Sequence, residues 1–200
     1  MNLTKYIYKL FGNNYWNTRY MLGGGSGYKS QKEITGYTSY VWSIIEKTAG
    51  KQKDVIDVGC GDLLFWYERD CDKYLGIDIS PRIINKNKKQ RPNWSFITSS
   101  ADAPLDIHAE TVICMNTLYH IMDDNVYNKI IDNLISWSDK WLMVITWRKL
   151  PNLKKDDFYQ KYRDFTNYKE RIIKSGFVLV LEEHIPFDDY GCIWIFKRSI

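Results

Sequence analysis

The chain has 200 residues, a formal net charge of +4 at pH 7 and four cysteines. This length suits one domain with a substantial core, and so mild a charge does not suggest the basic stripe typical of nucleic-acid-binding proteins. The cysteines show no CxxC pair and no histidine spacing typical of zinc ligands, so we expect no metal site. Neither a membrane-spanning apolar stretch nor a signal-peptide pattern is present, which predicts a cytoplasmic protein without a membrane partner.

Residues 1–30 do not resemble part of a sheet, because they are rich in aromatic residues and glycine. The aromatic residues Tyr15, Trp16 and Tyr20 lead into a glycine run at 23–27. A flexible leader is one interpretation. Burial of each large aromatic side chain is worth roughly 2 kcal/mol or more, so we favour a folded segment over a linker. Residues 31–200 are then the main domain.

The rest of the chain predicts helices that alternate with short apolar strands. The predicted strands are 54–58, 74–79, 94–97, 111–115, 141–146, 177–182 and 192–197. The predicted helices are 33–48, 63–70, one that begins at Ser80-Pro81, one that begins near Asp123-Asp124, and one that ends near Ser175-Gly176.

This order of elements predicts the fold class. Five nearly continuous apolar strands alternating with helices are typical of a doubly wound, mostly parallel α/β sheet with both faces covered, which is a three-layer sandwich. The last two predicted strands are joined by a loop without a helix, so they are expected to pair as an antiparallel C-terminal hairpin. The predicted sheet therefore has seven strands.

The first predicted strand ends in a carboxylate and a glycine pair, Asp57, Gly59 and Gly61. Glycine lacks a Cβ and takes positive φ readily, so a backbone turn here can pass close to a ligand. Asp78 follows Asp57 by 21 residues, a spacing that places it at the tip of the neighbouring strand, where it can accept hydrogen bonds from a ribose diol. A dinucleotide site would need a third glycine where Leu64 stands. A ligand with a ribose but no pyrophosphate fits better.

Four motifs resemble those of the class I, Rossmann-like, S-adenosylmethionine-dependent methyltransferases. In chain order they are Asp57-Val-Gly-Cys-Gly61, Ile77-Asp78, Ser99-Ser-Ala-Asp102-Ala-Pro and Val112-Ile-Cys-Met-Asn116. The resemblance covers nearly the whole chain and implies the Rossmann-like methyltransferase fold, with S-adenosylmethionine as cofactor and S-adenosylhomocysteine as product. The sequence departs from the family at Leu63, where a third glycine is common.

The segment before the main domain is also similar to that of one subgroup of small methyltransferases. The similarity lies in the pattern Trp16-x-x-Arg19-Tyr20 followed by the glycine run. It implies that residues 1–30 form a lid over the cofactor pocket. Arg19 or the amides of the glycine run would then be available to the methionine carboxylate.

The resemblance implies a role for each polar residue at a strand end. Asp57 would order the glycine turn and face the ammonium of the methionine moiety, Asp78 would bind the ribose, and Asp102 would bind the adenine amino group between Ala101 and Ala103. Helix or loop capping is the alternative for Asp78 and Asp102. The candidate cofactor-binding residues are Trp16, Arg19, Gly24, Ser26, Asp57, Gly59, Cys60, Gly61, Asp78, Ile79, Ala101, Asp102, Ala103 and Asn116.

Methyl transfer from a sulfonium is an in-line displacement, so alignment in a dry site can supply most of the acceleration. A hydroxyl or protonated amine acceptor would also use a general base, for which His120 is the best-placed group, although it could equally be structural. Asn116 and His120 are the candidate catalytic residues. Aromatic faces favour the positive sulfonium, and the candidates are Tyr15, Trp16, Tyr20, Tyr119 and Trp147.

The predicted function is transfer of a methyl group to an O, N or S atom of a small molecule. A nucleic-acid or protein methyltransferase is an alternative, although the Asn-Pro-Pro-aromatic motif that would favour it is replaced by Asn116-Thr-Leu-Tyr119. A non-catalytic S-adenosylmethionine-binding protein is a second alternative. A dinucleotide oxidoreductase is the least favoured, because of Leu64.

Overall fold

A computed structural model of the chain describes residues 14–26, 31–148 and 159–199. Residues 1–13 and 27–30 of the predicted lid lie outside these ranges. The strands are β1 Asp54–Val58, β2 Lys73–Asp78, β3 Ser95–Thr98, β4 Ala109–Met115, β5 Ser138–Trp147, β6 Phe177–His184 and β7 Gly191–Arg198. The α-helices are α1 Tyr15–Met21, α2 Gln31–Ala49, α3 Pro81–Gln90, α4 Asp124–Trp137 and α5 Thr166–Lys174.

The seven strands form one sheet in the order β3-β2-β1-β4-β5-β7-β6. The first five strands along the chain pair in parallel, and β7 lies antiparallel between β5 and β6. The predicted mostly parallel sheet with a C-terminal antiparallel hairpin is therefore confirmed. The strand order reverses between β1 and β4, and open α/β sheets bind ligands at the carboxyl ends of the strands beside such a reversal.

Alternate residues of each central strand pack on opposite faces of the sheet. On β4, Ile113 belongs to the cluster that contains Val41 and Ile45 of α2, whereas Val112 packs in the cluster that contains Ile131 of α4. Because the side-chain direction in a strand alternates with a period of two, an all-apolar strand needs cover on both faces. The sheet is thus the middle layer of three, as the sequence predicted.

The predicted helix ends are confirmed where a capping residue marks them. Ser80 accepts a hydrogen bond from the Ile83 amide at the start of α3, with Pro81 as the first helical residue. Asp123 caps α4 in the same way. Gly176 follows α5 with φ +90°, the left-handed geometry that a helix C-terminus commonly needs.

The predicted helix over 63–70 is wrong: only the 3-10 turn Leu64–Trp66 forms there. Leu63 takes a left-handed conformation with φ +61°, which a continuing right-handed helix cannot include. The Arg91 guanidinium from the end of α3 donates to the carbonyls of residues 66, 67 and 69 at 3.1, 3.4 and 3.1 Å. These carbonyls are satisfied by a distant side chain, so the segment needs no helix to satisfy them.

The described residues contain no helix long and apolar enough to cross a membrane. They also contain no group of three or more histidine, cysteine and carboxylate side chains that could hold a metal ion. The four cysteines are free and buried.

Candidate functional site

A cavity of about 530 Å³ opens at the carboxyl ends of β1, β2 and β4, where the strand order reverses. Of the predicted site residues, Trp16, Ser26, Asp57, Gly59, Cys60, Gly61, Asp78, Ile79, Ala101, Asp102, Asn116 and His120 line this cavity. Arg19, Gly24 and Ala103 do not belong to its lining. The topology thus brings residues from five separate stretches of the chain to one place.

The turn after β1 packs against the carboxyl ends of β2 and β4. The amides of Gly59 and Cys60 both donate to the Ile77 carbonyl of β2, at 2.8 and 3.0 Å. Gly59 has φ +77°, and a Cβ on it would lie 2.1 Å from Oγ1 of Thr117, which follows β4. A side chain at Gly59 is therefore excluded both by backbone conformation and by space.

Asp78 at the end of β2 ties the glycine turn to the start of α3. Its Oδ2 accepts the Gly61 amide at 3.0 Å, and its Oδ1 accepts the Ser80 amide at 2.9 Å. Burial raises the pKa of this carboxyl to about 6, although the two amide hydrogen bonds act in the opposite direction. At neutral pH the group is mainly ionised, and each oxygen keeps a further lone pair for a ligand in the cavity.

Asp57 at the end of β1 is almost fully buried and is held by two side chains from the core. The Trp66 indole and the Tyr74 hydroxyl both donate to its Oδ2, each at 2.8 Å. Because both donors reach Oδ2, a ligand in the cavity can be bound by Oδ1. Burial raises the pKa of Asp57 to about 6, and the nearby charge of Asp78 raises it further.

Helix α1 docks on the first turn of α3. The Oδ1 atom of Asn17 accepts from the Ser80 hydroxyl at 3.0 Å and from the Arg82 amide at 3.3 Å. The Arg82 side chain donates to the Tyr20 carbonyl at 3.3 Å. Since Ser80 also contacts Asp78, the N-terminal segment is connected to the site through a single intervening residue.

The end of this segment is held on the glycine turn by Ser26. Its amide and hydroxyl donate to the Asp62 carboxylate at 3.1 and 2.7 Å, and its Oγ lies 3.0 Å from the Tyr20 hydroxyl. A Cβ on Gly61 would lie 2.5 Å from the Ser26 Oγ. The absence of a side chain at Gly61 thus makes room for the segment that covers the turn.

The three predicted cofactor residues outside the lining have structural partners. Arg19 donates to the Gly25 carbonyl at 2.7 Å and to the Tyr15 hydroxyl at 3.2 Å. The Gly24 amide donates to the Arg19 carbonyl at 2.9 Å, and the Ala103 amide donates to the Ser100 carbonyl at 3.1 Å. Cofactor contacts by Arg19, Gly24 and Ala103 remain predictions.

The turn after β3 presents Ala101 and Asp102 to the cavity. The Ser100 hydroxyl donates to the Asp102 carboxylate. From α4, the Asn133 amide donates to the carbonyls of Ala101 and Ala103 at 2.8 and 2.9 Å. Asn133 of α4 therefore holds in place the turn for which the family resemblance implies a contact with adenine.

The strand end of β4 supplies Asn116, which has φ +53°. This left-handed conformation costs least for glycine, asparagine and aspartate among the residue types, so its presence marks a constrained position. The Asn116 amide donates to the Ile145 carbonyl at 2.8 Å, and its Oδ1 accepts from the Tyr37 hydroxyl of α2 at 3.3 Å. The side chain is thereby oriented at the cavity wall.

His120 also lines the cavity and lies among aromatic rings. The ring centres of Trp16, Tyr119 and Tyr159 lie 4.8, 4.5 and 5.5 Å from its own. Burial lowers the pKa of His120 to about 4, so the imidazole is neutral at physiological pH. Its Nδ1 lies 3.1 Å from the Tyr159 carbonyl, which only accepts hydrogen bonds. Nδ1 must therefore carry the proton, and Nε2 is left as an acceptor.

Among the five aromatic candidates for the sulfonium, Tyr15, Trp16 and Tyr20 line the cavity. Tyr119 and Trp147 instead stack on each other, with ring centres 3.8 Å apart. Asp62, Thr117 and Tyr159 line the cavity and were not predicted. Asp62 directly follows the glycine pair, and this position could have predicted that it lines the cavity. No local sequence motif marks Tyr159 as a lining residue.

The fold is that of known methyltransferases. The magnesium protoporphyrin IX methyltransferase (ChlM) from Synechocystis PCC 6803 with bound SAH matches with a TM-score of 0.68 and 19% identity, over 99% of this chain and 100% of that chain. The N-methyltransferase NodS from Bradyrhizobium japonicum WM9, in complex with S-adenosyl-l-homocysteine, matches with a TM-score of 0.61 and 13% identity, over 83% of this chain and 87% of that chain.

A third similar structure is the methyltransferase domain of bacterial CtHen1, with a TM-score of 0.61 and 18% identity over 80% of this chain and 97% of that domain. No protein-family model and no curated protein sequence matches the chain. At these identities the likeness establishes the fold, which is the Rossmann-like methyltransferase fold that the sequence predicted.

The buried charge of Asp57 gives a stability prediction. Its pKa rises from 3.8 to about 6 on folding, so the native state binds more protons than the unfolded state, and stability falls as the pH rises through this window. Asp57→Asn removes the charge and keeps an oxygen for Trp66 and Tyr74. We expect the variant to be more stable than the wild type by about 1–2 kcal/mol at pH 7, with the difference lost below about pH 4.

Urea unfolding at pH 7 and pH 4 measures this difference. Asp72→Asn is the matched control, because Asp72 is exposed and its neutralisation should change stability little. An Asp57→Asn variant less stable than the wild type at pH 7 would contradict the assignment of a net cost to this buried charge.

Proposed function

We propose that the protein is an S-adenosylmethionine-dependent methyltransferase that transfers a methyl group to an O, N or S atom of a small molecule. The observation that carries this proposal is the Asp78 carboxylate, buried at the end of β2 and bonded to the Gly61 amide of the turn after β1. In a fold of this class, that geometry sets a ribose-binding carboxylate beside a backbone turn that a ligand can approach closely.

The cavity fits this cofactor in size and charge. Its volume of about 530 Å³ lies within the range of roughly 300–1,000 Å³ typical of small-molecule sites. The cofactor carries a sulfonium and an ammonium, and the carboxylates of Asp57 and Asp78 supply opposite charge. Aromatic rings of Tyr15, Trp16 and Tyr20 at the wall also suit a cation.

Different residues of the site would bind different parts of the cofactor. Asp78 would accept hydrogen bonds from the ribose, and Oδ1 of Asp57 would accept from the ammonium. The turn at Ala101 and Asp102 would hold the adenine. When bound, S-adenosylmethionine supplies a methyl group on a positively charged sulfur, which is electrophilic without activation by the protein.

The protein would then have to align the acceptor with the methyl group and remove the acceptor's proton. A neutral His120 with Nε2 free to accept can orient an O–H or N–H of the acceptor and take up its proton. Asn116, fixed through Tyr37, would orient the acceptor at the neighbouring strand end. Aromatic rings of Trp16, Tyr119 and Tyr159 surround the imidazole.

A small acceptor is favoured because residues 14–26 cover the glycine turn and contribute Trp16, Tyr20 and Ser26 to the cavity wall. This arrangement suits an enclosed pocket better than an open groove for a macromolecule. We propose that this part of the N-terminal segment acts as the lid, with the contact between Ser26 and Asp62 as its latch.

Asp78→Asn tests the cofactor site. The change removes the charge and replaces one oxygen by an amide nitrogen, so at least one acceptor for the ribose or the turn is lost. We expect the affinity for S-adenosylmethionine and S-adenosylhomocysteine to fall by about 10- to 100-fold, since hydrogen bonds to a charged group are worth roughly 1.5–3 kcal/mol.

Isothermal titration calorimetry with both ligands measures this, beside NAD as a chemically different ligand. Asp72→Asn is again the control and should bind like the wild type. Failure of the wild type to bind either adenosyl ligand would reject the proposed function, whereas equal binding by Asp78→Asn would reject only the role of Asp78.

Ser26→Ala tests the lid. The variant loses the hydroxyl bonds to Asp62 and Tyr20 while the Ser26 amide bond remains possible, so the closed segment should open more often. We expect S-adenosylhomocysteine to dissociate roughly 5- to 10-fold faster, which corresponds to the loss of about 1 kcal/mol. Stopped-flow fluorescence measures the rate, with the exposed Ser43→Ala as control, and an unchanged rate would count against the latch.

His120→Ala tests the proton acceptor. We expect turnover to fall by about 10²-fold, the lower end of general-base effects, because a base with such a low pKa is weak. Cofactor affinity should change little. Formation of S-adenosylhomocysteine with the best acceptor from a screen of amines, phenols and thiols provides the measurement, and the exposed His108→Ala is the control. Unchanged turnover would remove His120 from the mechanism.

A further inference from the structure

The charge of the cavity wall restricts the acceptor. Five carboxylates line the cavity, from Asp57, Asp62, Asp78, Asp102 and Asp123. Within the ranges 14–26, 31–148 and 159–199, no lysine or arginine belongs to the lining. A low-dielectric cleft with one sign of charge on its walls focuses the field on whatever enters it.

Two of these carboxylates are held in place by backbone amides. Asp62 accepts from the Ser26 amide, and Asp123 accepts from the amides of Asn125 and Val126 at the start of α4. Asp62 and Asp123 add carboxylates that none of the cofactor contacts proposed above uses.

Arginines next to the lining residues direct their N–H donors at other groups of the protein, although the charge of Arg19 reaches the site and helps to lower the pKa of His120. Arg19 and Arg82 donate to the carbonyls of Gly25 and Tyr20. Arg163 donates to the Ile121 carbonyl at 2.6 Å and pairs with the Asp124 carboxylate. An anionic group on an acceptor would thus meet carboxylates without a matching cation in the described lining.

The cavity wall around His120 is aromatic. Tyr159, which none of the cofactor contacts proposed above uses, lies beside His120 together with Tyr15 and Trp16, and the Tyr15 and Tyr159 ring centres are 5.7 Å apart. Aromatic faces attract cations and hold flat apolar bodies. The hydrogen bond between His120 Nδ1 and the Tyr159 carbonyl leaves Nε2 to accept, so this end of the cavity offers an acceptor to an N–H donor.

We propose that the acceptor is a small amine on an aromatic or apolar body, without a carboxylate or phosphate group. This inference rests on the proposed function, and it narrows the choice among O, N and S acceptors. The aromatic rings hold the body of the acceptor, the carboxylates attract its ammonium form, and Nε2 of His120 accepts one of its N–H groups. Before transfer the ammonium gives one proton to water through Nε2, and the freed nitrogen lone pair forms the N–C bond as the C–S bond of the cofactor breaks and S-adenosylhomocysteine leaves. An alcohol of the same shape lacks the positive charge that the carboxylates of the cavity attract, and a carboxylate carries a negative charge that they repel.

Three matched compounds separate these chemistries: 2-phenylethylamine, 2-phenylethanol and 3-phenylpropionate share one body and differ in the terminal group. Calorimetric titration of each into the protein saturated with S-adenosylhomocysteine measures binding to the remaining space. We expect the amine to bind at least about 10-fold more tightly than the carboxylate, the difference that one opposed unit charge produces at a partly buried site. The alcohol should lie between them.

The aromatic contribution is tested with Trp16→Leu. Its loss should weaken amine binding by about 10-fold and alcohol binding by less, because only the amine is charged. The exposed Tyr67→Leu is the matched control. The amine affinity should also fall as the salt concentration rises.

The outcomes separate this inference from the proposal on which it rests. If S-adenosylhomocysteine itself does not bind, the methyltransferase assignment fails. If it binds and 3-phenylpropionate binds as tightly as the amine, or none of the three compounds binds, the amine inference is overturned and the cofactor assignment stands.

Discussion

The carboxylate of Asp78 joins the elements on which the site depends. One oxygen holds the Gly61 amide of the turn after β1, and the other holds the Ser80 amide at the start of α3. Ser80 in turn contacts Asn17 of α1. The strand, the turn, the helix and the covering segment are thus positioned by one buried anion. Removal of that anion would leave two backbone amides without their acceptor, which is a larger cost than the loss of one surface contact.

Asp57 is a second buried carboxylate in the site, and it lies close enough to Asp78 for the charge of one to make ionisation of the other less favourable. The charge of Asp78 raises the pKa of Asp57, and each group loses hydration through burial. The buried charge of Asp57 is a net cost to the folded chain, and a ligand that carries positive charge would offset it. Backbone strain is found in the same region: Leu63 and Asn116 are the two non-glycine residues with positive φ in the described part of the chain. Strain of this kind commonly concentrates at ligand sites.

Local sequence was sufficient to predict the sheet and the strand ends at which the cavity opens. The apolar runs ending at Asp57 and Asp78 specify buried parallel strands, and Gly59 and Gly61 specify a turn that no other residue could make. Capping residues such as Ser80 and Asp123 define helix starts through contacts within a few residues. Each of these signals is a short-range property of the chain, which is why the sequence reveals it.

The features that the sequence did not predict depend on long-range contacts. Arg91 donates to the carbonyls that a helix over 63–70 would have used. No sequence motif near residue 63 predicts a contact with Arg91. Ser26 meets Asp62, and Tyr159 meets His120, only because the fold brings distant segments together. The tautomer of His120 follows from a backbone carbonyl 39 residues away, so no motif around the histidine could specify it.

Burial acts on the two kinds of titratable group in opposite directions, and together these shifts define the state of the site. It raises the pKa values of Asp57 and Asp78 to about 6 and lowers that of His120 to about 4. Desolvation disfavours the charged form in each case. As the pH falls, the carboxylates are therefore protonated before the histidine, which remains a neutral acceptor. We therefore expect the carboxylates proposed to hold the cofactor, and not the proposed proton acceptor His120, to set the acid limit of a reaction at this site.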